Sequence, residues 1–252
     1  MIEVIILSLV QGVTEFLPIS SSSHLILMGN YLNFQNQNLS IDVSLHIGSF
    51  LAVITYFRNE IKNFIENKEL FLKILISSIP VMITGYFLVK LNLIEQLRNI
   101  KVIGWTTIVF GIILYLSDRY KLKKKFDNNF TYRSAILIGL FQVLSLVPGV
   151  SRSGIAISVA RFLKYDRFDA SKISFLISIP ILFALSLFGI KNLISHQSTS
   201  FSILNLMSIL FSYVISFLTI KFFLKYIKKF SLNVFIIYRI ILGIILLLIV
   251  YL

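Results

Sequence analysis

Residues 11–24 read Gln11-Gly12-Val13-Thr14-Glu15-Phe16-Leu17-Pro18-Ile19-Ser20-Ser21-Ser22-Ser23-His24, in the middle of an apolar stretch that runs from 2 to 30. About 20 mainly apolar residues cross a bilayer, so an uninterrupted stretch would be one spanning helix. Pro18 and the four serines instead split it into halves of roughly 10–16 residues, about 15–24 Å long and too short to cross. A second apolar stretch, 132–163, is broken in the same way by Pro148-Gly149-Val150-Ser151-Arg152-Ser153-Gly154. A half-helix, a polar turn and a returning half-helix form a re-entrant hairpin. Such irregular backbone is tolerated at membrane depth only inside protein or beside a water-filled cavity.

Around these hairpins lie six segments long and apolar enough to span, at roughly 39–58, 71–91, 99–118, 169–190, 202–223 and 233–252. The chain is 57% hydrophobic and only 14% charged, against roughly 25% in soluble domains. This excludes a soluble globular domain and predicts an all-α polytopic membrane protein forming a single domain over 1–252. With no cysteine, disulfides, thiolate metal sites and cysteine nucleophiles are excluded. No cleavable signal peptide is expected, because Glu3 stands where a basic stretch would be and Glu15 follows without a cleavage motif.

Gly12, Glu15 and Pro18 before one serine-rich turn parallel Gly139, Gln142 and Pro148 before the other, and three spanning segments follow each hairpin. The pattern predicts a duplication, with repeat one at about 1–118 and repeat two at about 132–252. Three crossings is an odd number, so the second copy enters from the opposite side and the two tips meet near the midplane. In this arrangement 18 of the 24 basic residues fall on one side, among them Lys121, Lys123, Lys124 and Lys125, and 4 on the other. That asymmetry places the basic side in the cytoplasm and both termini outside. It also accounts for the net charge of +13 through cytoplasmic loops and anionic lipid, without nucleic acid.

The chemistry-bearing residues gather at the two turns. Gln11 and Glu15 share a helix face. A carboxylate in an apolar stretch marks a functional site by default; the competing reading is a structural Glu bonded to a neighbouring helix. Ser20, Ser21 and Ser22 offer hydroxyl donors and helix caps, and a helix N-terminus suits phosphate. His24 lies close enough in sequence to act on a serine hydroxyl or leaving group, or else is a buried, hydrogen-bonded imidazole. Arg152 is the only basic residue at a hairpin tip. It suits bidentate capture of phosphate, with an ion pair to Glu15 as the competing reading. Ser151, Ser153 and Gly154 allow close backbone approach to an anion. Asp42 and His46 form an i, i+4 pair that could supply metal or proton-transfer groups, or be an ordinary interfacial pair. Arg239 reads as internally paired and His196 as solvated in an outside loop.

At these turns the sequence resembles the undecaprenyl-diphosphate phosphatase family, the BacA/UppP type linked to bacitracin resistance, over essentially the whole chain. Residues 11–24 match its (Glu/Gln)-x-x-x-Glu motif and serine-His segment, and residues 148–154 its Pro-Gly-x-Ser-Arg-Ser-Gly motif. The resemblance implies hydrolysis of undecaprenyl diphosphate to the monophosphate and inorganic phosphate, recycling a lipid carrier for cell-wall synthesis in the bacterial plasma membrane. It implies dependence on a divalent cation (Mg²⁺ or Ca²⁺) and a site open to the outer face. Carried over residue by residue, Glu15 is the essential carboxylate and candidate metal ligand, Ser21 the candidate nucleophile and His24 the acid/base partner. Arg152 with Ser151 and Ser153 is the diphosphate clamp; Gln11, Ser20, Ser22 and Gly154 are candidate substrate contacts. Gln11 stands where some members have a second Glu, and Ser23 where many have Gly. The nucleophile is Ser21 or a water oriented by Glu15. The alternative is a secondary transporter or lipid flippase with a midplane anion site, and a purely structural subunit comes third. A homodimer stands as a candidate assembly.

Overall fold

The computed structural model describes residues 1–32, 34, 38–120, 125–126, 130–195 and 203–252; Lys121, Lys123, Lys124 and His196 lie outside them. All regular structure among the described residues is helical. The first hairpin is α1 (Ile2–Thr14) and α2 (Ser21–Leu32), the second α8 (Tyr132–Gln142) and α9 (Arg152–Phe162), joined by a 3₁₀ turn at Val143–Leu146. At 11–13 residues these helices are about 17–20 Å long, short of the roughly 30 Å hydrocarbon core. Six longer apolar helices match the expected spans: α3 (Leu39–Tyr56), α5 (Lys68–Lys90), α7 (Ile100–Asp118), α10 (Arg167–Ser195), α11 (Ile203–Ile227) and α12 (Asn233–Tyr251). Two short helices, α4 (Arg58–Glu66) and α6 (Ile94–Leu97), occupy segments that hydropathy reads as loops.

Local chemistry sets the helix starts. Asn38, Asn67 and Thr131 accept hydrogen bonds from the N–H groups of Ile41, Leu70 and Ser134, capping α3, α5 and α8. Beside a buried apolar cluster that includes Phe16, Phe57, Phe175 and Phe223, small and hydroxylated residues let helices approach closely. Ser212 donates to Leu45 O at 2.7 Å, Ser49 shares hydrogens with Ser212 and Ser216, and Asn205 donates to Ser40 and Ser44. Gly48 lets α3 and α11 touch: a Cβ there would lie 2.5 Å from Ile209 O.

The contacts exchange between the two halves of the chain. The helix α1 packs on α11 as α8 packs on α5; α3 packs on α11 as α10 packs on α5; α3 pairs with α10, and α7 with α12. The two turns meet at the centre. Arg239 of α12 is fully buried, and no carboxylate pairs with it among the described residues. Its guanidinium donates to Pro18 O at 3.1 Å in one turn, Gly149 O at 2.7 Å in the other and Thr107 O at 3.2 Å. Thr106 of α7 donates to Pro148 O at 2.6 Å. Gly149 has φ +95°, and a Cβ there would strike Thr106 Oγ1.

A second ionic centre collects one end of the bundle. Asp118, ending α7, receives a bidentate pair from Arg167 at 2.7 and 3.0 Å, an ion pair from Arg161 at 3.5 Å and the N–H of Leu232 at 3.3 Å. Lys172 pairs with Glu60 of α4 at 3.3 Å. Residues assigned from the sequence to one basic side thus meet at one end. The helix α10 starts there and lies alongside α5, where Ser78 donates to Ile177 O at 3.1 Å.

Two stability outcomes follow. Replacing Asp118 by Ala leaves Arg161 buried without its counter-charge and should lower stability by about 3–5 kcal/mol, whereas Glu69→Ala, which breaks an exposed pair with Lys73, should change it by less than about 1 kcal/mol. Arg239→Leu strands carbonyls of both turns, and Arg239→Lys cannot reach all three; both should lower the unfolding midpoint in detergent by several degrees, Leu the more. Thermal unfolding of the four variants beside the wild type checks both.

Candidate active site

The turn residues before α2 and α9 share an unusual backbone. Ser20 has φ +76° and Ser151 φ +72°, left-handed values that cost about 1–3 kcal/mol for a non-glycine residue. Both are buried and held by hydrogen bonds. Ser20 Oγ accepts from Gly149 N at 3.3 Å and contacts Ser23 Oγ at 3.0 Å. Ser151 Oγ accepts from Gly154 N at 3.1 Å and lies 3.2 Å from Ser153 Oγ, which donates to Leu17 O at 2.8 Å. Phe16, wholly buried edge-on against Phe175 at 5.3 Å, anchors the first turn in the core. The strain is therefore shared between two turns that lock one another.

Glu15 lies at the centre of what they present. Its Oε1 accepts from Arg152 Nη2 at 2.9 Å; its Oε2 accepts from Ser21 Oγ at 2.6 Å and from Gln11 Nε2 at 3.1 Å. The ion pair expected as the competing reading for Arg152 is therefore present. It does not exhaust the guanidinium, since the buried Nη1 has no acceptor. Gln11 Oε1 is likewise buried and unpartnered, while its Nε2 reaches His46 Nδ1 at 3.0 Å.

These groups border a cavity of about 500 Å³. Six of the expected site residues line it: Glu15, Ser20, Ser21, Ser22, Ser151 and Arg152, at its polar end. The walls are apolar side chains of α5 and α10, including Val81, Val89, Ile181 and Phe188. Gln11, Ser153 and Gly154 stand behind the lining in the hydrogen-bond network. His24 is not brought to the cavity. Its Nδ1 lies 2.7 Å from Ser20 O, its Nε2 lies 2.6 Å from Tyr238 OH, and its ring stacks on Tyr238 at 5.8 Å. The sequence weighed proximity along the chain; one turn of α2 was enough to point the imidazole elsewhere.

The imidazole that does line the cavity is His46, from α3. Its link to Gln11 spans 35 residues; the sequence offered His46 as half of the i, i+4 pair with Asp42, and the functional reading of that pair is the one its place at the cavity favours. Thr106 of α7, which holds Pro148 O, and Tyr238 of α12, which meets His24, gave no signal, because each is an ordinary polar residue in an apolar helix.

No group of three acidic or histidine ligands occurs among the described residues. Glu15 is the one carboxylate at the cavity, a donor set that fits a hard cation taking its other ligands from phosphate oxygens and water.

The geometry is that of a carboxylate, a hydroxyl hydrogen-bonded to it and a guanidinium beneath an apolar groove. Residues 4–245 match the family described as bacitracin resistance protein BacA. The chain is 51% identical to the undecaprenyl-diphosphatase of Pelagibacter ubique over 251 residues, covering 99% of this chain and 98% of that protein. It is 40% identical to the undecaprenyl-diphosphatase of Campylobacter curvus and 38% identical to that of a Jannaschia species, each over 98% of this chain and 97% of the relative. The chain belongs to the BacA family of bacitracin resistance proteins.

Proposed function

We infer that this protein is a membrane phosphatase that hydrolyses undecaprenyl diphosphate to undecaprenyl phosphate and inorganic phosphate, returning the lipid carrier to cell-wall synthesis. The observation that carries this reading is the Arg152–Glu15–Ser21 chain at the polar end of an apolar cavity, with guanidinium Nη1 unpartnered. A prenyl chain lies along the walls of α5 and α10, and the diphosphate reaches the turns.

In the proposed reaction Ser21 Oγ, or a water held beside it, attacks the terminal phosphorus in line with the bridging oxygen. The hydroxyl already donates to Glu15 Oε2, so the proton passes to that carboxylate as the new P–O bond forms. The bridging P–O bond breaks and undecaprenyl phosphate leaves, carrying the proton from Glu15 on its phosphate and so restoring the carboxylate. If Ser21 carries the phosphoryl group, a second attack by water, its proton taken by the same carboxylate, releases inorganic phosphate. Arg152 and the N-terminal N–H groups of α2 and α9 stabilise charge on the equatorial oxygens. A divalent cation (Mg²⁺ or Ca²⁺) would be held by Glu15 and would neutralise phosphate charge when bound. His24 supports the Ser20 carbonyl, and with it the first turn, through its own hydrogen bond.

We also propose the membrane arrangement. The hairpins are re-entrant, the halves 1–118 and 132–252 are inverted repeats, and both termini and the active site face outward. The exchanged helix contacts support the repeat. The outward site is supported by α10: it leaves the basic end at Arg167 and reaches the cavity wall at Phe188, about 32 Å further on. A transporter with a midplane anion site has no use for a hydroxyl hydrogen-bonded to a carboxylate at 2.6 Å.

Arg152→Ala in purified protein should lower phosphate release from undecaprenyl diphosphate by about 10²–10³-fold, and Arg152→Lys, which keeps the charge but loses the fork, by less. Near-wild-type turnover in Arg152→Ala would overturn the clamp assignment. Glu15→Gln should be as damaging as Arg152→Ala. Ser21→Ala should abolish turnover if Ser21 is the nucleophile and leave measurable residual hydrolysis if water is. Removing divalent cations with a chelator should abolish release, and adding Mg²⁺ or Ca²⁺ should restore it; unchanged activity in chelator would remove the metal from the scheme.

A further inference from the structure

We propose that His46 is a substrate-contacting residue of this site, a fixed N–H donor to a non-bridging oxygen of the terminal phosphate. The proposal rests on the phosphatase reading above and adds a residue from a different part of the fold.

The tautomer follows from a chain of hydrogen bonds. Arg152 holds Glu15 through Oε1 as an ionised carboxylate, which can only accept. The Gln11 atom 3.1 Å from Glu15 Oε2 must then be the amide nitrogen, because an oxygen there would face an oxygen. That nitrogen also lies 3.0 Å from His46 Nδ1. Its second hydrogen needs an acceptor, so Nδ1 offers its lone pair and the ring proton sits on Nε2. An imidazolium would set N–H against N–H at this contact. The Arg152–Glu15 pair thereby fixes the proton on a histidine two hydrogen bonds away.

The placement supplies the ligand. His46 lines the cavity together with Glu15, Ser21 and Arg152, and its Nε2 has no partner among the described residues. Arg152 Nη1 is likewise without an acceptor. Two donors thus stand unfilled around one carboxylate, Arg152 bound to its Oε1 and the Gln11–His46 pair to its Oε2. A tetrahedral phosphate presents oxygens in different directions and can accept from both at once.

The test uses the full chain in detergent, with histidine labelled in ¹⁵N and the His46 signals assigned by their loss in His46→Gln. The free protein should show His46 protonated at Nε2, and inorganic phosphate should shift that nitrogen. His46→Phe should raise KM for the lipid diphosphate, and the inhibition constant of inorganic phosphate, about 10- to 100-fold, with kcat changed less and the unfolding midpoint unchanged. His46→Gln, which retains an N–H, should recover part of the loss. A proton on Nδ1, a signal unmoved by phosphate, or wild-type KM and inhibition in His46→Phe would each overturn the proposal. If His46→Phe does not fold, the labelled wild type and His46→Gln decide. If phosphate shifts the Nε2 signal but the wild type releases no phosphate from the lipid, the donor stands and the phosphatase reading fails.

Discussion

A backbone that breaks inside a lipid-embedded bundle leaves carbonyls and N–H groups that hydrocarbon cannot solvate. Here side chains of spanning helices take those carbonyls. Arg239 reaches Pro18 O and Gly149 O, and Thr106 reaches Pro148 O. Both are the seventh residue of their helices, α12 and α7, which pack against each other. The turn serines do the rest: Ser20 accepts from Gly149 N, and Ser153 donates to Leu17 O. Each turn is therefore completed by the other. The juxtaposition of Glu15 with Arg152 is a consequence of that mutual repair.

The charges are arranged by the same constraint. Buried ions persist only when paired or heavily hydrogen-bonded. Asp118 achieves this for Arg161 and Arg167 at the basic end, and three carbonyls achieve it for Arg239. At the site, Glu15 divides its two oxygens. One neutralises Arg152; the other receives the Ser21 hydroxyl hydrogen and the Gln11 amide. Because the oxygens serve different partners, the contact with Arg152 at Oε1 and those with Ser21 and Gln11 at Oε2 coexist on one carboxylate. The pair keeps the charge of the site close to neutral, and the buried Nη1 of Arg152 has no acceptor among the described residues.

The architecture was legible because its signals are local. Hydropathy alone placed six spanning helices, and Pro18 with Ser20–Ser23 and Pro148 with Ser151–Gly154 marked the breaks, since punctuation by proline and serine acts within a few residues. Glu15, Ser21 and Arg152 were legible as polar groups that an apolar stretch cannot carry idly. What failed was direction. His24 is three residues from Ser21, yet its ring is stacked on Tyr238 from the far end of the chain. His46, 31 residues from Glu15, lines the cavity. Which way a helical side chain points depends on the helices beside it, and sequence distance carries no information about that. The short helix α4 was missed for a related reason: its charged residues read as loop, while Glu60 finds Lys172 only in three dimensions.

A hydrolase for a lipid diphosphate faces conflicting solvent demands. The prenyl chain must stay in an apolar groove, the phosphates need dense donors, and the attacking oxygen needs a base not quenched by water. A surface site satisfies the donors but floods the base; a fully buried site carries uncompensated charge. Two half-helices ending inside the bundle resolve the conflict, because their free N–H groups and positive dipole ends supply charge without a mobile side chain. Arg152 adds its guanidinium at the cavity, paired with Glu15, while the Arg239 guanidinium is taken up by backbone carbonyls of both turns. The walls are mainly apolar: Val81, Ile181 and Phe188 line the same cavity as Arg152. That division places Glu15, Ser21 and Arg152 at the two turns and leaves mainly apolar side chains along the cavity walls.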